Sequence, residues 1–278
     1  MNRLITAAIA LPFLVASIIY PPLHFLFVVL AVAATVLGLY EFWMLARKRG
    51  AKPDVVVGYA GAAAMLLAFG FNELGMLLLI VIAFVIATLA AETLRGAPFE
   101  KMMVSTGSTM LGVLYVVLLG GHLVAVRTGF RDPLQFDHAQ NLSTHLLAFF
   151  FLVLMGSDTG AYYTGHALGR HKLAPNISPS KTWEGAVGGM AASLLMATLA
   201  HFWFFPELSL RAALPLAAVM NVFGVVGDLT ESALKRSAGA KDAANFLPGH
   251  GGLLDRLDSL LFNAPLLYYF AYYYFARR

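Results

Sequence analysis

The chain has 278 residues, of which 59% are apolar and only 12% charged, and its mean hydropathy is +0.74. A soluble domain carries about 25% charged residues, so the composition excludes both a water-soluble globular protein and a disordered one. The absence of cysteine excludes a disulfide framework, a thiolate metal site and a cysteine nucleophile. The net charge of +4 comes from basic residues in short segments between apolar runs, a pattern typical of loops that face anionic headgroups.

Nine apolar runs are long enough to cross a bilayer, which predicts an all-α, polytopic integral membrane protein. The first run follows Arg3 but lacks a convincing cleavage site, so we interpret it as a retained span rather than a signal peptide. The predicted spans are residues 4–20, 23–46, 55–71, 74–91, 103–126, 145–168, 183–205, 212–234 and 257–275.

Most basic residues fall in inner segments if the N-terminus is cytoplasmic, with the terminal pair Arg277 and Arg278 as the main exception. We therefore predict a cytoplasmic N-terminus, location in the cytoplasmic (inner) membrane and a site on the cytoplasmic face. The chain divides into amino-terminal scaffold helices (1–101), a middle span with an outer loop (102–144) and a catalytic half (145–278).

Ionisable residues within spans cost about 2.5–3.5 kcal/mol each on insertion scales, so each needs a reason. Glu41 lies near the inner end of the second span, and we predict that it pairs with a basic neighbour such as Arg47. Asp158 lies between the pairs Gly156/Gly160 and Gly165/Gly169, whose spacing favours close helix packing. It is a candidate cation ligand or a hydrogen-bond partner of one.

Asp228 begins a polar stripe on the eighth span. Asp228, Glu231, Ser232 and Lys235 lie at i, i+3, i+4 and i+7, and therefore on one helix face. This stripe favours a water-filled pocket that opens towards the basic inner segment. The alternative is a Glu231–Lys235 ion pair that helps to end the helix.

Asp255 and Asp258 share one face where the ninth span begins. The alternative role is capping, because acids are favoured at a helix N-terminus. The preceding Gly251 and Gly252 let the backbone approach a ligand closely. Carboxylates on two neighbouring helices, in a chain without cysteine, predict a Mg²⁺ site formed by Asp228, Asp255 and Asp258.

The inner segment 169–182 is the first of two that carry basic residues beside Gly, Pro and Ser. Ser180 is predicted to cap the following helix, which would place Lys181 and Thr182 in its first turn. A helix N-terminus with a lysine and hydroxyl groups can bind phosphate, so Ser178, Lys181 and Thr182 are candidate ligand-binding residues. The glycines of a P-loop are missing. The alternative is a loop whose charge only sets the topology.

The second such segment, 235–256, combines cations, a Pro-Gly-His-Gly-Gly turn and carboxylates. Phosphoryl or nucleotidyl transfer needs this combination, because cations offset phosphate charge and carboxylates hold a metal ion. His250 is either a phosphate contact or structural. The candidate cations are Lys235, Arg236 and Lys241.

Residues 232–258 resemble the signature of the phosphatidate cytidylyltransferase (CDP-diacylglycerol synthase) family. The signature is Ser-x-apolar-Lys-Arg, four residues, Lys-Asp, then His-Gly-Gly, two residues and Asp-Arg-apolar-Asp, and every fixed position is filled. The stretch from Asp158 through Lys172-Leu173 and Ile177-Ser178-Pro179 to Glu184-Gly185 is also similar to that family.

The resemblance implies conversion of CTP and phosphatidic acid to CDP-diacylglycerol and pyrophosphate, with no nucleic-acid partner. It also implies a nine-span fold, often dimeric, and a paired cation site at Asp228 and Asp255. One cation would be Mg²⁺, and whether a second, monovalent cation joins it is left open. Phosphate-binding candidates are then Lys181, Lys235, Arg236 and Lys241, and nucleotide-binding candidates are Ser178, Thr182, His250, Gly251, Gly252 and Arg256.

Three alternatives remain open from the sequence. A sibling enzyme could activate another lipid phosphate with CTP. An intramembrane aspartyl protease could use Asp158 and Asp228, but its Gly-x-Gly-Asp element is not met. A transporter could use the buried acids as ion sites, but no inverted repeat is visible.

Overall fold

The computed structural model describes residues 12–97, 99–130, 139–240 and 252–275, without the side chains of residues 21 and 139–141. Within these ranges the regular structure is helical apart from one short hairpin, which confirms the all-α prediction. The apolar helices confirm an integral membrane protein.

The amino-terminal helices follow one another with short connections. They are α1 (12–19), α2 (His24–Lys48), α3 (Val55–Gly70), α4 (Leu77–Arg95), α5 (Met102–Gly112) and α6 (Leu119–Gly129). A π-helix, Val113–Leu118, joins α5 to α6, and 3₁₀ turns lie at Pro21–Leu23, Leu74–Met76 and Phe99–Lys101.

The remaining elements are longer helices interrupted by the hairpin. They are α7 (Ala139–Leu168), β1 (Lys172–Ala174), β2 (Ser178–Thr182), α8 (Trp183–Trp203), α9 (Leu210–Ser237) and α10 (Leu254–Phe275). The strands β1 and β2 are antiparallel, with Lys172 opposite Thr182 and Ala174 opposite Ser178.

Six helical segments of the described chain are long and apolar enough to cross a membrane. They are His24–Lys48, Leu74–Arg95, Phe99–Gly129, Leu142–Leu168, Trp183–Trp203 and Leu210–Ser237. Each coincides with a span expected from the sequence. Crossing by residues 4–20, 55–71 and 257–275, and the orientation of the N-terminus, stay predictions.

The chain forms two compact units, and the first takes residues from both ends of the sequence. The first unit comprises Met1–Arg131 and Ser237–Leu257, and the second comprises Asp132–Arg236 and Asp258–Arg278. The first turn of α10 therefore belongs with the amino-terminal helices. The catalytic role expected for residues 145–278 stays a prediction.

The first unit packs around Trp43 of α2. A Cβ atom on Gly58 would lie 2.4 Å from the Trp43 ring, and one on Gly112 would lie 2.6 Å from its Nε1 atom. The indole N–H donates to the Ser108 carbonyl at 3.2 Å. Small residues on α3 and α5 thus let these two helices pack against one large ring of α2, as is usual for packing in lipid.

In the second unit α7 and α8 lie in close contact. A Cβ atom on Gly160 would lie 2.4 Å from the Ala192 Cβ and 2.8 Å from the Gly188 carbonyl oxygen, and one on Gly188 would meet Thr164. The predicted packing role of Gly160 is confirmed. Because a backbone carbonyl is involved, no side-chain rotation can make room for a larger residue.

We expect Gly160→Ala to destabilise the protein by about 1–3 kcal/mol, the usual effect of overpacking. Thermal unfolding in detergent measures this. Gly107→Ala is the matched control, because no atom lies within 4 Å of a Cβ placed there. Alanine favours helix over glycine by about 1 kcal/mol, so the control should be neutral or stabilised. Equal unfolding temperatures for Gly160→Ala and the wild type would contradict the packing analysis.

Candidate active site

The hairpin places Lys181 and Thr182 in strand β2, so the prediction that they lie in the first helical turn is wrong. Thr182 rather than Ser180 caps α8, and its hydroxyl accepts from the Gly185 N–H at 3.1 Å. A capping residue needs extended backbone, and the strand continues in that conformation to Thr182. Ser178 begins the same strand.

Lys181 extends from the hairpin to Asp228 on α9. The distance from Lys181 Nζ to Asp228 Oδ2 is 2.6 Å, with the lysine side chain 42% and the aspartate side chain 23% exposed. Burial lowers the pKa of Lys181, but the charge and hydrogen bond of Asp228 raise it further, so the pKa lies above the ordinary 10.5. Lysine therefore stays charged at neutral pH, and the pair is lost only as the pH rises through that raised value.

Two more acids lie around this ion pair. The Asp258 and Asp228 carboxyl groups are within hydrogen-bonding reach of each other, and the Asp258 Oδ1 atom also accepts from the Ser259 N–H at 2.6 Å. The charge of Asp158 on α7 acts on both Lys181 and Asp228. The second unit thus brings three carboxyl groups and one ammonium group together.

Gly227 explains why Asp228 and Asp258 meet. A Cβ atom on Gly227 would lie only 2.4 Å from the Asp258 carbonyl oxygen, so α9 and α10 touch at that glycine. The next residue on α9 is Asp228. The dipeptide Gly227-Asp228 therefore supplies a close backbone contact and, beside it, a carboxylate.

The acids suit a hard cation that also binds phosphate. Mg²⁺ prefers oxygen ligands and usually takes one or two carboxylates together with substrate phosphates and water. In the described part of the chain, no three His, Asp or Glu side chains are arranged to hold a metal ion by themselves. The neighbouring carboxyl groups of Asp228 and Asp258 supply oxygen donors of the kind that Mg²⁺ prefers.

Glu231 and Lys235 form the alternative predicted for the α9 stripe. Lys235 Nζ lies 2.7 Å from Glu231 Oε2, and the glutamate is only 1% exposed. This confirms the ion pair, one turn beyond Asp228 and away from open solvent. Arg236 is exposed and its Nε donates to the Ile177 carbonyl at 3.4 Å, which joins the end of α9 to the hairpin turn.

At the start of α10, Asp255 has the capping role considered for it. Its Oδ2 accepts from the Gly252 N–H at 2.8 Å, within the first unit. Gly252 is buried and Arg256 is exposed. Asp228 belongs to the second unit, so its sharing of a cation with Asp255 stays a prediction. Lys241, His250 and Gly251 lie outside the described residues.

The prediction that Glu41 pairs with a basic neighbour is wrong. Its carboxylate oxygens accept from the backbone N–H groups of Leu253, at 2.9 Å, and Leu254, at 2.7 Å. The side chain is 2% exposed, so it needs donors inside the protein, and the free amides at the start of α10 are the ones within reach.

Glu184 was not identified as a candidate from the sequence. Its carboxylate accepts from the Arg170 N–H at 3.1 Å and the His171 N–H at 3.2 Å, and it pairs with His171 Nδ1 at 2.6 Å. It therefore closes the base of the hairpin that carries Lys181. An acid in the first turn of a helix that follows a basic segment was the available signal.

Comparison with known proteins gives the same family as the motif. Residues 1–274 match the family described as "Cytidylyltransferase family". Relatives named phosphatidate cytidylyltransferase include one from Synechocystis sp., 34% identical over 84% of each chain, and one from Bacillus subtilis, 37% identical over 61% of this chain and 68% of the relative. One from Staphylococcus haemolyticus is 46% identical over 44% of this chain, and the match spans about half (47%) of that relative's length. The resemblance is confirmed.

We expect Glu184→Ala to loosen the hairpin, because it removes three hydrogen bonds at its base. Limited trypsin digestion should then cleave after Lys172 about 10-fold faster, because the base of the hairpin opens more often once these bonds are lost. Glu207→Gln is the control, because Glu207 is half exposed and its only described ion pair, with His145, is long at 3.7 Å. Unchanged cleavage would show that the hairpin holds without Glu184.

We expect Lys181→Met to reduce catalytic turnover at least about 100-fold, because oriented charge at a phosphoryl-transfer site commonly contributes that much. Lys48→Met is the control, because Lys48 is exposed at the end of α2. Lys181→Arg should retain part of the activity, since it keeps the charge. Wild-type rates for Lys181→Met in purified protein would contradict the assignment of Lys181 to the active site.

Proposed function

The chain belongs to the cytidylyltransferase family, and we propose that it transfers the cytidylyl group of CTP to phosphatidic acid. The products are CDP-diacylglycerol and pyrophosphate. The names of the relatives support this substrate pair. The observation that carries the proposal is the Lys181–Asp228 ion pair beside Asp258, which combines the charges that nucleotidyl transfer requires.

The proposed reaction is a direct displacement at phosphorus. A phosphate oxygen of phosphatidic acid forms a bond to the α-phosphorus of CTP. The bond from that phosphorus to the oxygen bridging to the β-phosphate breaks, and its electron pair leaves with pyrophosphate. Phosphatidic acid is already ionised at neutral pH, so no strong general base is required. Catalysis then consists mainly of positioning and charge stabilisation.

Lys181 is the basic residue with the clearest role. It is protonated, partly exposed and next to the acids, so its ammonium group can offset charge on a phosphate of CTP or of the lipid. Lys235, Arg236 and Lys241 would supply further positive charge. The hydroxyl groups of Ser178 and Thr182, with His250, Gly251, Gly252 and Arg256, would contact the nucleotide.

Asp228, Asp255 and Asp258 would hold Mg²⁺, with Asp158 as a further ligand or hydrogen-bond partner. A bound Mg²⁺ stabilises negative charge on attacking and leaving phosphate oxygens. Asp228 and Asp258 fit this role because their carboxyl groups are adjacent. Asp255 is included as a ligand on the family resemblance alone.

We also propose that the enzyme lies in the cytoplasmic (inner) membrane with this site on the cytoplasmic face, where CTP is available. The concentration of basic residues in segments predicted to be inside supports this orientation. A homodimer is a further proposal, which rests on the family resemblance alone. Family membership favours nucleotidyl transfer over the protease and transporter alternatives.

Labelled CTP and purified protein in detergent micelles test the proposal. We expect lipid-borne label only with phosphatidic acid and Mg²⁺, and we expect EDTA to stop the reaction. A polyisoprenoid phosphate in place of phosphatidic acid tests the sibling activity. Label on that lipid, with none on phosphatidic acid, would show that the substrate assignment is wrong.

We further expect Asp228→Asn and Asp255→Asn each to abolish turnover, because each removes a proposed ligand of the cation. Both variants should still insert and purify as folded protein, which thermal unfolding in detergent checks. Substantial activity in either purified variant would refute its role as a metal ligand.

A further inference from the structure

Glu41 on α2 binds the backbone at the start of α10. Its two carboxylate oxygens accept from the N–H groups of Leu253 and Leu254, more than 200 positions later in the chain. We infer that Glu41 is a positioning residue, which fixes the first turn of α10 and thereby Asp255. The inference rests on the proposed function for what Asp255 does.

These hydrogen bonds satisfy backbone N–H groups that would otherwise have no partner at the end of the helix. The first N–H groups of a helix have no partner within the helix, and a polar side chain just before the helix usually supplies one. Leu253 and Leu254 are apolar and have no side-chain oxygen to offer. Asp255 accepts from Gly252, and Glu41 accepts from the next two N–H groups. Three consecutive N–H groups are thus bound by two carboxylates.

The packing around Glu41 leaves little freedom to this arrangement. Gly38 lies one turn earlier on the same face of α2, and a Cβ atom there would be 3.1 Å from Leu257 Cδ1 and 3.3 Å from Val116 Cγ1. Leu254 is fully buried. The contact of Leu257 with α2, together with the carboxylate of Glu41 on the N–H groups, determines where α10 begins.

Electrostatics favours a carboxylate at this position. The N-terminus of α10 carries partial positive charge from its aligned peptide groups, and a buried anion is stabilised there. A glutamine would keep the size but would offer one oxygen and one NH₂ group. The NH₂ group would then face a backbone N–H, so one of the two hydrogen bonds would be lost and donor would oppose donor.

Glu41→Gln tests the inference, with Glu73→Gln as the matched control. Glu73 is exposed and makes no side-chain capping hydrogen bond, although it also precedes a helical turn. Hydrogen exchange followed by mass spectrometry reports on the peptide 252–258 without any substrate. Titration of Mg²⁺ in the cytidylyl-transfer assay reports on the position of Asp255, a proposed ligand of the cation. Thermal unfolding in detergent reports on the whole protein.

We expect Glu41→Gln to accelerate exchange in that peptide about 10-fold, the effect of one lost hydrogen bond to a charged group. The Mg²⁺ concentration for half-maximal rate should rise and kcat should fall, each by about 10-fold, with the KM for CTP less affected. Glu73→Gln should match the wild type in every measurement. If Glu41→Gln does not purify as folded protein, Glu41→Asp, which draws the charge back by one methylene, is measured in its place.

Two results would overturn the inference. One is unchanged exchange in the peptide 252–258. The other is a loss of activity that only follows the loss of folded protein, with the Mg²⁺ requirement unchanged, which would make Glu41 merely structural. Full activity of Asp255→Asn would instead contradict the proposed function of that acid, and the exchange result would still decide whether Glu41 holds the helix start.

Discussion

A carboxylate buried in a membrane protein must have a compensating partner, and this constraint determines much of the structure. The uncompensated burial of a charge costs several kcal/mol even after local relaxation. Asp228 is compensated by Lys181, Glu231 by Lys235 and Glu41 by two backbone N–H groups. Each of these partners comes from a different place: the hairpin, the next turn of the same helix, and the end of a remote helix.

The kind of partner separates acids that can act on a ligand from acids that hold the fold. Asp228 and Lys181 are partly exposed, so each side chain can give up its partner in the ion pair and bind a ligand instead. Glu41 and Glu231 are almost fully buried and bind groups that lie within the protein. A carboxylate that caps a helix cannot leave without exposing the N–H groups that it binds. The exposure of each acid and the kind of partner it binds therefore divide the acids into the same two groups.

The sequence alone predicted the helices well, because each apolar run is long and continuous, and it predicted the acids that need an explanation. It did not predict their partners. Glu41 lies six to eight residues from several basic residues, so a local pair was the natural interpretation, yet its partners are two leucine amides far along the chain. Backbone donors leave no signal in the sequence, since every residue except proline carries one.

Helix capping shows the same limit on a smaller scale. Ser180 and Thr182 are both good capping residues, and only the end of the β-hairpin decides between them. The length of a two-stranded hairpin depends on how its strands pair, which a segment of 14 residues with two prolines does not specify. The position of Lys181 on a strand, rather than a helix, follows from that pairing.

Glycine and an acid occur together in both units at contacts that involve α10. In the first unit Gly38 allows α2 to approach Leu257, and Glu41, one turn later, binds the backbone of α10. In the second unit Gly227 touches the Asp258 carbonyl, and Asp228 follows it directly. Close approach excludes water from the contact, and an acid beside such a contact must therefore bind protein groups or a ligand. A glycine within one turn of an acid in an apolar span is thus a signal for a functional helix contact. Glycine lowers the stability of the helix, and an acid within a span costs free energy, so each needs another reason to be there.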